Sequence, residues 1–559
     1  MEQRVLFAAI ISFAIIAGWQ YFFVIPMQSA HQQAHHGGAS RKGGMTNAGE
    51  NEGSRIKTRE DSILNTASER VTIANKYIAG SINLKGARID ELLLLHYKET
   101  IDDSSPDVAL LSPGDTPDGY IATFGWLSSD KIELPKTDTL WKSDRAELVP
   151  EKPISLKWIN NAGVKFTIEI ALDNEYMFTI KQLVENGSDT QITISNYATI
   201  NRTRGNVVTE NMILHEGAIG VTDGKLHELT FADMEKNKKD KLAAAKGWLG
   251  FSDKYWLTAF IPTQAFTGKL SSYNSSVLGQ KKFQIDLIGQ DWVVDPGQAA
   301  EIAGYQFFAG AKSLSILDRY EKLNNIPLFD HAVDFGILYF ITKPIFLLLN
   351  YLYGFLGNFG VAIMLLTVII KGALFPLAHK GFRSMNRLKE LQPQLVRIKD
   401  SYKDQPAMFQ KAMIDLYKKE KVSPVSGCLP IILQMPIFFA LYKVLYVTIE
   451  MRHAPFILWI HDLSAPDSTT LFNLFGMINW QPPAFLMIGV LPILMSLTIF
   501  IQQKFNPQPA DPVQAKVMQA LPVVFLFMFS SFPSGLLLYW TWSNILSILQ
   551  QWLIKKIEG

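Results

Sequence analysis

Residues 359–378 are the stretch that most restricts how this chain can fold. They are almost entirely apolar, yet they carry one full charge, Lys371. A helix needs about 20 apolar residues to cross a bilayer, and a cation at the membrane centre costs about 2.5–3.5 kcal/mol, so it usually faces a bundle interior or water. Thr367 lies one turn earlier on the same face, and Pro376 cannot donate a hydrogen bond to the carbonyl of Gly372. The stretch therefore predicts a membrane span with a polar, partly wet notch.

A second interpretation of Lys371 is that it plays no special part. It stands seven positions before the end of the stretch, which is about 10 Å along a helix. A lysine side chain can reach part of that distance toward cytoplasmic headgroups. From this segment alone, two interpretations remain: Lys371 lies in a polar notch within the membrane, or its side chain extends to the cytoplasmic headgroups.

The N-terminal region contains another apolar run, residues 5–25 after Arg4. It is longer than the 7–15-residue apolar core of a signal peptide and offers no small-residue cleavage site, which predicts an uncleaved anchor helix over 1–26 with its N-terminus inside. Residues 27–67 are predicted to form a flexible periplasmic tether, because their first part is rich in Gly, His, Gln and Ser. The single cysteine, Cys428, excludes an intramolecular disulfide. We predict no metal and no cofactor.

In residues 68–310, apolar and polar side chains alternate with a period of two residues, which is typical of half-buried strands. Residues 164–170 and 283–287 alternate between apolar and polar side chains, and Gly-containing turn signals such as Asp223-Gly224 separate such runs. So many short strands predict one large periplasmic β-sandwich. The lysine-rich residues 236–246 are expected to form a solvated helix or loop. The domain shows no nucleophile elbow, phosphate loop or paired carboxylates, so we predict that the protein is not an enzyme.

Residues 311–357 are predicted to contain a short helix and then an amphipathic helix lying on the outer membrane face, because Lys343-Pro344 interrupts the apolar run. Residues 379–421 carry eleven cations against five carboxylates, a net charge of +6. The positive-inside rule places such a loop in the cytoplasm. Apolar stripes at helical spacing within it predict a helical hairpin whose apolar faces bear Met385, Met408 and Met413.

The remaining apolar runs complete a bundle of five transmembrane helices over residues 358–559. Residues 425–446, 483–503, 517–532 and 535–553 follow the opening span, and Trp459 and Trp480 are expected at the outer interface. With the anchor, this predicts six crossings and two cytoplasmic termini. The polar residues Lys371, Thr367, Gln434, Ser543 and Asn544 would then lie in hydrocarbon, where each needs a partner or water. A cation among them favours a shared hydrophilic cavity that attracts an anion.

Several strings of the second half resemble the YidC-type membrane protein insertases, relatives of the mitochondrial oxidase-assembly and chloroplast Albino proteins. The strings, which cover about 200 residues, are Leu391-Gln392-Pro393, Gly427-Cys428-Leu429-Pro430, Leu433-Gln434-Met435-Pro436-Ile437-Phe438, Ala454-Pro455-Phe456, Trp459-Ile460-His461-Asp462-Leu463-Ser464 and Phe532-Pro533-Ser534-Gly535-Leu536. The anchor and the β-domain match the Gram-negative form of the family more loosely.

The resemblance implies an inner-membrane insertase and chaperone with a groove open to the cytoplasm and to lipid. Its signature cation falls at Lys371 beside Thr367, and Gln434 and Trp540 fall at groove-lining places; we add Ser543 to this set. Nascent membrane proteins are the implied clients, with the Sec translocon, the ribosome and lipids as partners and no direct nucleic-acid contact. Bacterial relatives generally carry arginine where this chain has Lys371. The lysine ammonium is a point charge, whereas the arginine guanidinium is a bidentate fork. The tail after Trp552 is short, so ribosome contacts are expected at the hairpin and at residues 504–516.

Two other functions compete with insertion. A secondary transporter for a small anion would use the same lysine and Pro-broken helices, although the halves show no internal repeat. An envelope protein that binds carbohydrate would work through its β-domain. The leading hypothesis remains an insertase in which the hairpin methionines, whose side chains adapt to varied apolar partners, first hold the client.

Overall fold

The computed structural model describes residues 58–204, 214–236, 239–274, 280–402, 405–420, 429–478, 480, 482, 487–505 and 512–558. Contacts divide the chain into two compact units. We call the described residues up to Asp334 the β-unit and those from Phe335 onward the helical unit. The predicted anchor over 1–26 lies outside the described residues, as do Cys428 and most of the predicted tether.

The β-unit is built from nineteen described strands and three short helices. The strands are β1 Arg70–Ala74, β2 Ile78–Asn83, β3 Arg88–Lys98, β4 Asp107–Leu111, β5 Tyr120–Ser128, β6 Lys142–Ser143, β7 Glu147–Leu148, β8 Ile154–Ile159, β9 Val164–Leu172, β10 Met177–Asn186, β11 Ile192–Arg204, β12 Gly217–Thr222, β13 Lys225–Thr230, β14 Lys239–Ala244, β15 Gly247–Ser252, β16 Trp256–Pro262, β17 Phe266–Asn274, β18 Lys281–Val294 and β19 Ala299–Ala311. The helices are α1 Arg59–Leu64, α2 Phe231–Lys236 and α3 Leu314–Asn324.

The strands form two large sheets. One runs in the order β14-β17-β18-β11-β5-β3-β2-β1-β7 with β4 paired to β3, and the other in the order β13-β12-β15-β16-β19-β10-β9-β8-β6. Pairing is antiparallel except between β1 and β7. Aromatic side chains join the two sheets: Phe124 lies 5.5 Å from Phe260, and Trp126 lies 5.1 Å from Phe166, between ring centroids. The predicted sandwich is therefore present, as two packed sheets around one apolar core.

The alternating sequences behave as predicted. Residues 164–170 lie in β9 and residues 283–287 in β18, and Phe283, Ile285 and Leu287 are fully buried. Asp223 and Gly224 form the two-residue turn between β12 and β13, with positive φ angles of 49° and 79°. Both central residues of such a turn need positive φ, which is why Asp-Gly is favoured there.

The prediction for residues 236–246 is wrong. Helix α2 ends at Lys236, and residues 239–244 form strand β14, which pairs with β17 at the edge of its sheet. Lysines are common on edge strands because their charge prevents further strand pairing. The lysine-rich composition therefore indicated an edge and not a loop.

Folded structure is described from Thr58 onward, before the predicted boundary at residue 68. Helix α1 starts at its N-cap Thr58, whose side chain accepts a hydrogen bond from the amide of Asp61. Arg59 reaches Glu91 of β3 at 3.4 Å. The last ten residues assigned to the tether are thus attached to the sandwich.

The helical unit contains nine described α-helices. They are α4 Tyr339–Leu356, α5 Phe359–Ala373, α6 Phe375–Glu390, α7 Gln392–Ser401, α8 Pro406–Lys419, α9 Leu429–Val447, α10 Val490–Phe505, α11 Pro512–Phe529 and α12 Ser534–Glu558. Helices α5, α9, α10, α11 and α12 overlap the five predicted spans.

Residues 359–378 do not form one straight helix. Helix α5 ends at Ala373 and α6 begins at Phe375, with a bend of 68° between them. Pro376 occupies the first turn of α6, where a missing N–H costs nothing. The proline thus starts a new helix and does not interrupt the span from within.

One described helix, α4, is long and apolar enough by itself to cross a membrane, and the bent pair α5–α6 qualifies when counted together. Helix α10 and parts of α9 and α11 are also apolar, but these apolar segments are shorter than a full membrane span. The predicted interruption at Lys343-Pro344 is wrong, because α4 continues through Pro344 without ending there. That α4 lies flat on the membrane surface stays a prediction, as do the six crossings.

The cationic region over 379–421 is helical but does not begin where we predicted. Helix α6 runs through residue 379 without a break, and Leu391 separates it from α7, whose first turn contains Pro393. Leu391 and Leu395 of the predicted apolar stripe are buried. Helices α7 and α8 are neighbours, and the residues that join them, 403–404, lie outside the described part.

Candidate functional site

Helix α5 carries Lys371 and is fixed at its N-terminal end. Its N-cap Asn358 accepts a hydrogen bond from the amide of Val361 at 3.1 Å and donates one to the carbonyl of Phe456 at 3.0 Å. Thr367 is fully buried, and its hydroxyl donates to the carbonyl of Ile363 in the same helix at 2.7 Å. Such a bond satisfies the hydroxyl proton within the helix. Thr367 therefore offers only its oxygen to a neighbour.

Lys371 lies against the last helix. Its Nζ donates to Oγ of Ser547 on α12 at 2.9 Å, and its side chain is half-buried. Two further hydrogen bonds join the same helices: Trp542 donates to the carbonyl of Met364 at 3.1 Å, and Gln550 donates to the carbonyl of Lys371 at 3.4 Å. These contacts aim the ammonium at a polar neighbour in the bundle.

A row of hydroxyl groups on α12 extends from this contact. Tyr539, Ser543 and Ser547 are four residues apart, so they lie on one face of the helix. Ser547 donates to the carbonyl of Ser543 at 2.9 Å, and Ser543 lies within hydrogen-bonding reach of the Tyr539 hydroxyl. Gln434 of α9 donates to that hydroxyl. We call these four residues with Lys371 the polar row; it connects α5, α12 and α9.

Trp540 points into a different environment. Its ring centroid lies 4.7 Å from those of Phe438 on α9 and Phe529 on α11, and 6.1 Å from that of Phe525. Trp540 is half-buried. The indole therefore belongs to an aromatic cluster beside the polar row, where it presents an apolar and polarizable wall.

Other polar side chains of the bundle pair with neighbouring helices. Asn544 of α12 donates to the hydroxyl of Thr498 on α10 at 3.1 Å, and Ser496 of α10 donates to the carbonyl of Pro522 on α11 at 2.7 Å. Hydrogen bonds of this kind hold helices together in a bilayer. Asn544 is thus accounted for as a packing residue and does not belong to the polar row.

Among the described residues, no opposite charge lies beside Lys371. Among the described residues no carboxylate forms an ion pair with its amine, since the ion pairs there involve other residues. Among the described residues of the helical unit, the buried polar atoms without a hydrogen-bond partner include Tyr442 Oη, Thr541 Oγ1 and Gln551 Oε1. Buried polar groups generally require a partner. The interior thus retains capacity for water or for a bound polar chain.

The hairpin methionines differ in exposure. Met408 on α8 is exposed, whereas Met385 on α6 and Met413 on α8 are half-buried. Val396 and Ile414 are also exposed on α7 and α8. The hairpin therefore presents an apolar surface to which two aliphatic side chains contribute besides methionine.

Sequence reasoning missed Tyr539, Ser547 and Gln550. The four-residue spacing of Tyr539, Ser543 and Ser547 was a usable signal, because it places three hydroxyls on one helical face. Pairing Lys371 with Ser547 was not readable, since 176 residues separate them.

Three carboxylate side chains of the β-unit lie close enough to one another to hold a cation. The ligand atoms of Asp318, Glu321 and Asp330 lie within 4.8 Å of one another. Burial raises the pKa of Glu321, and its carboxylate accepts a hydrogen bond from the amide of Asp330 at 3.1 Å. His331 contacts Asp330 at 2.8 Å. Because protein groups already bond to oxygens of Glu321 and Asp330, we assign no ion to this cluster.

Comparison with known proteins agrees with this architecture. Residues 70–348 match the family model of the YidC periplasmic domain, and residues 351–558 match that of the 60Kd inner membrane protein. Together they define an inner membrane protein with a periplasmic domain. The membrane protein insertase YidC of Rickettsia bellii is 47% identical over 554 residues, covering 99% of this chain and 98% of the relative. That of Rickettsia felis is 48% identical over 556 residues, with the same coverage. The chain belongs to the YidC family of membrane protein insertases.

Solved structures give weaker likenesses. A crystal structure of an active YidC insertase is 17% identical with a TM-score of 0.35, covering 86% of this chain and 92% of that one. A putative aldose 1-epimerase from Escherichia coli is 9% identical with a TM-score of 0.29, covering 43% of this chain.

Proposed function

We propose that this chain inserts nascent membrane proteins into the inner membrane by way of the polar row. The observation that carries the proposal is the contact between Lys371 and Ser547, a cation held by a neutral hydroxyl inside an apolar helical unit. A cation in this position has no described carboxylate to neutralise it. An acidic or polar stretch of a client supplies the missing charge.

The first step uses the hairpin. Its exposed apolar side chains, Met408, Val396 and Ile414, bind a hydrophobic client segment on the cytoplasmic side. Thioether and branched aliphatic groups accept apolar partners of varied shape. The surrounding cations of residues 379–421 keep this surface on the cytoplasmic side of the membrane.

The second step uses the polar row. The polar end of the client enters beside Lys371, where its oxygens accept hydrogen bonds from the ammonium and from hydroxyls of α12. Gln434 and Tyr539 continue the row toward α9, and Trp540 with its phenylalanine neighbours forms the adjoining wall for apolar side chains. The client thus meets polar groups on one side and aromatic groups on the other.

The last step is release into lipid. Burying apolar surface contributes about 0.8 kcal/mol per CH₂ group, so a transmembrane segment moves from the groove to the bilayer spontaneously. Insertion then needs no nucleotide. The proposed topology is six crossings with both termini in the cytoplasm, and the proposed further partners are the Sec translocon and the ribosome.

Photocrosslinking tests this route. A photoreactive amino acid is placed at Gln434, Trp540 or Ser543 of the full chain, and stalled nascent chains of a membrane protein are presented to it. Leu549 is the matched control, because it lies on α12 two residues after Ser547 and is exposed on a different face. We expect crosslinks to the client from the first three positions and few from residue 549. Equal crosslinking from all four positions would contradict a defined route.

A further inference from the structure

Residues 471–478, between α9 and α10, form an unusual apolar surface. Six of the eight residues are exposed, large and hydrophobic: Leu471, Phe472, Leu474, Phe475, Met477 and Ile478. Met477 is the most exposed of them at 83%. Trp480 follows and is also exposed. We call residues 471–478 the apolar loop.

The backbone of the apolar loop turns these side chains outward. Leu474 and Phe475 have left-handed φ angles of 50° and 58°, a conformation that residues with large side chains rarely adopt. Two consecutive left-handed residues interrupt the short 3₁₀ helix Leu471–Gly476. A strained backbone that displays apolar side chains is a typical mark of a functional surface.

Several amides of the apolar loop are paired within the protein. Leu471 donates to the carbonyl of Ile488 at 3.0 Å, Phe475 to that of Thr470 at 2.9 Å, and Ile478 to that of Asn473 at 3.0 Å. Phe472 donates to the hydroxyl of Thr470 at 3.4 Å. Paired backbone donors are what an apolar medium requires, because lipid offers no hydrogen-bond partner.

The absence of charged residues around the apolar loop also points to lipid as its surroundings. No Asp, Glu, Lys, Arg or His occurs between Asp467 and Lys504, a run that contains the apolar loop and nearly all of α10. Helix α10 itself exposes Leu494, Leu497 and Phe500, so the apolar loop continues an apolar surface of the bundle. Protein-binding surfaces usually carry a polar rim, whereas a segment in the membrane interface is apolar with Trp nearby.

We propose that the apolar loop is a membrane wedge that inserts into the outer leaflet and anchors the outer end of α10 to lipid. Insertion is shallow, at the boundary between headgroups and acyl chains, because irregular backbone is not stable deep in hydrocarbon. The partner is the bilayer itself. This role is separate from client insertion and does not depend on the polar row.

Fluorescence quenching in nanodiscs tests the wedge. Because Cys428 is the only cysteine, a Cys428→Ser background allows single labelling with an environment-sensitive dye at Met477→Cys. The control is Ile101→Cys, an apolar residue that is 58% exposed in the β-unit. Phe475→Cys gives a second position in the wedge, in case one substitution disturbs the loop. Each labelled full-length protein is placed in phosphatidylcholine nanodiscs that contain lipid with a nitroxide on acyl carbon 5.

We expect the nitroxide to quench the dye at residues 477 and 475 by at least about twofold, as insertion of about 5–10 Å predicts, while aqueous iodide has little effect. The dye at residue 101 should respond to iodide and not to the nitroxide. Iodide quenching at residues 477 and 475 equal to that at residue 101 would overturn the proposal. So would protection from iodide without quenching by the lipid nitroxide, since that result means a protein covers the loop.

Discussion

Reversing the charge at residue 371 is the most direct test of the polar row. In Lys371→Glu the new carboxylate can accept from the Ser547 hydroxyl, which now donates to Ser543, because a hydroxyl rotates to suit its partner. The hydroxyl beside residue 371 is therefore compatible with either sign of charge. A client carboxylate at about 4 Å from the amine gains about 1 kcal/mol in a water-like medium and about 4 kcal/mol at an effective dielectric constant of about 20.

The magnitude follows from these limits. Replacing attraction by equal repulsion changes the interaction by about 2–8 kcal/mol. Even the lower limit corresponds to an insertion rate about thirtyfold lower for a client with one acidic residue in its translocated tail. Because Ser547 is neutral and no carboxylate of the described residues pairs with Lys371, the client does not have to displace one, so the full effect should appear. Lys371→Met, which only removes the charge, should cost about fivefold by the same argument.

The assay measures protease protection of the translocated tail in vesicles containing the wild type or a variant. Two clients are compared that differ only in an Asp→Asn change in that tail. Lys371→Arg should support insertion of both clients, since it keeps the charge. Lys371→Glu should impair the acidic client alone. Equal slowing of both clients by Lys371→Glu would refute an electrostatic role, because it would indicate damage to the fold.

Two further predictions concern stability. Asp467 accepts hydrogen bonds from the amide of Leu491, in the first turn of α10, at 2.8 Å and from the amide and hydroxyl of its loop neighbour Thr469. Asp467→Ala should therefore lower the free energy of unfolding by about 1–3 kcal/mol. Thermal unfolding in detergent would show this decrease, and the decrease should be smaller in Asp467→Asn, which keeps one acceptor. An unchanged Tm in Asp467→Ala would contradict a stabilising role of Asp467 at the start of α10. In the β-unit, burial lowers the pKa of Lys312 to about 8 despite the attraction of Asp253 and Asp334, against 10.5 in the unfolded chain. The unfolded state therefore binds more protons between pH 8 and 10.5, and the free energy of unfolding should rise across this window by up to about 3 kcal/mol. Urea unfolding of the full chain followed by near-ultraviolet circular dichroism should show the rise, and Lys312→Met should flatten it; an equal slope in both proteins would rule out Lys312 as its source.

The strands show how far local pattern carries a prediction. Alternation predicted β9 and β18 because a half-buried strand needs its apolar side chains on one face. The pattern said nothing of which strands pair, and β14 was mistaken for a solvated helix or loop because its place in the sheet depends on its neighbour β17. Edge position is a property of the assembled sheet and not of the six residues themselves.

The helical unit shows the same division. Hydropathy located the helices, and the charge of residues 379–421 marked a cationic segment. The bend of 68° after Ala373 was not predicted, because Pro376 is compatible both with a kink inside one helix and with the first turn of another. Which of these occurs depends on what the following residues pack against.

The sequence alone determined that this protein has a β-domain, an apolar helical region, a cation within it and membership of an insertase family, since periodicity, hydropathy and motif strings are local properties. Only the tertiary structure decided which polar groups meet. Lys371 and Ser547 are 176 residues apart and join because α5 and α12 pack side by side. Hydrogen bonds are short and directional, so their partners are chosen by the packing of whole helices and cannot be read from the spacing of residues along one chain.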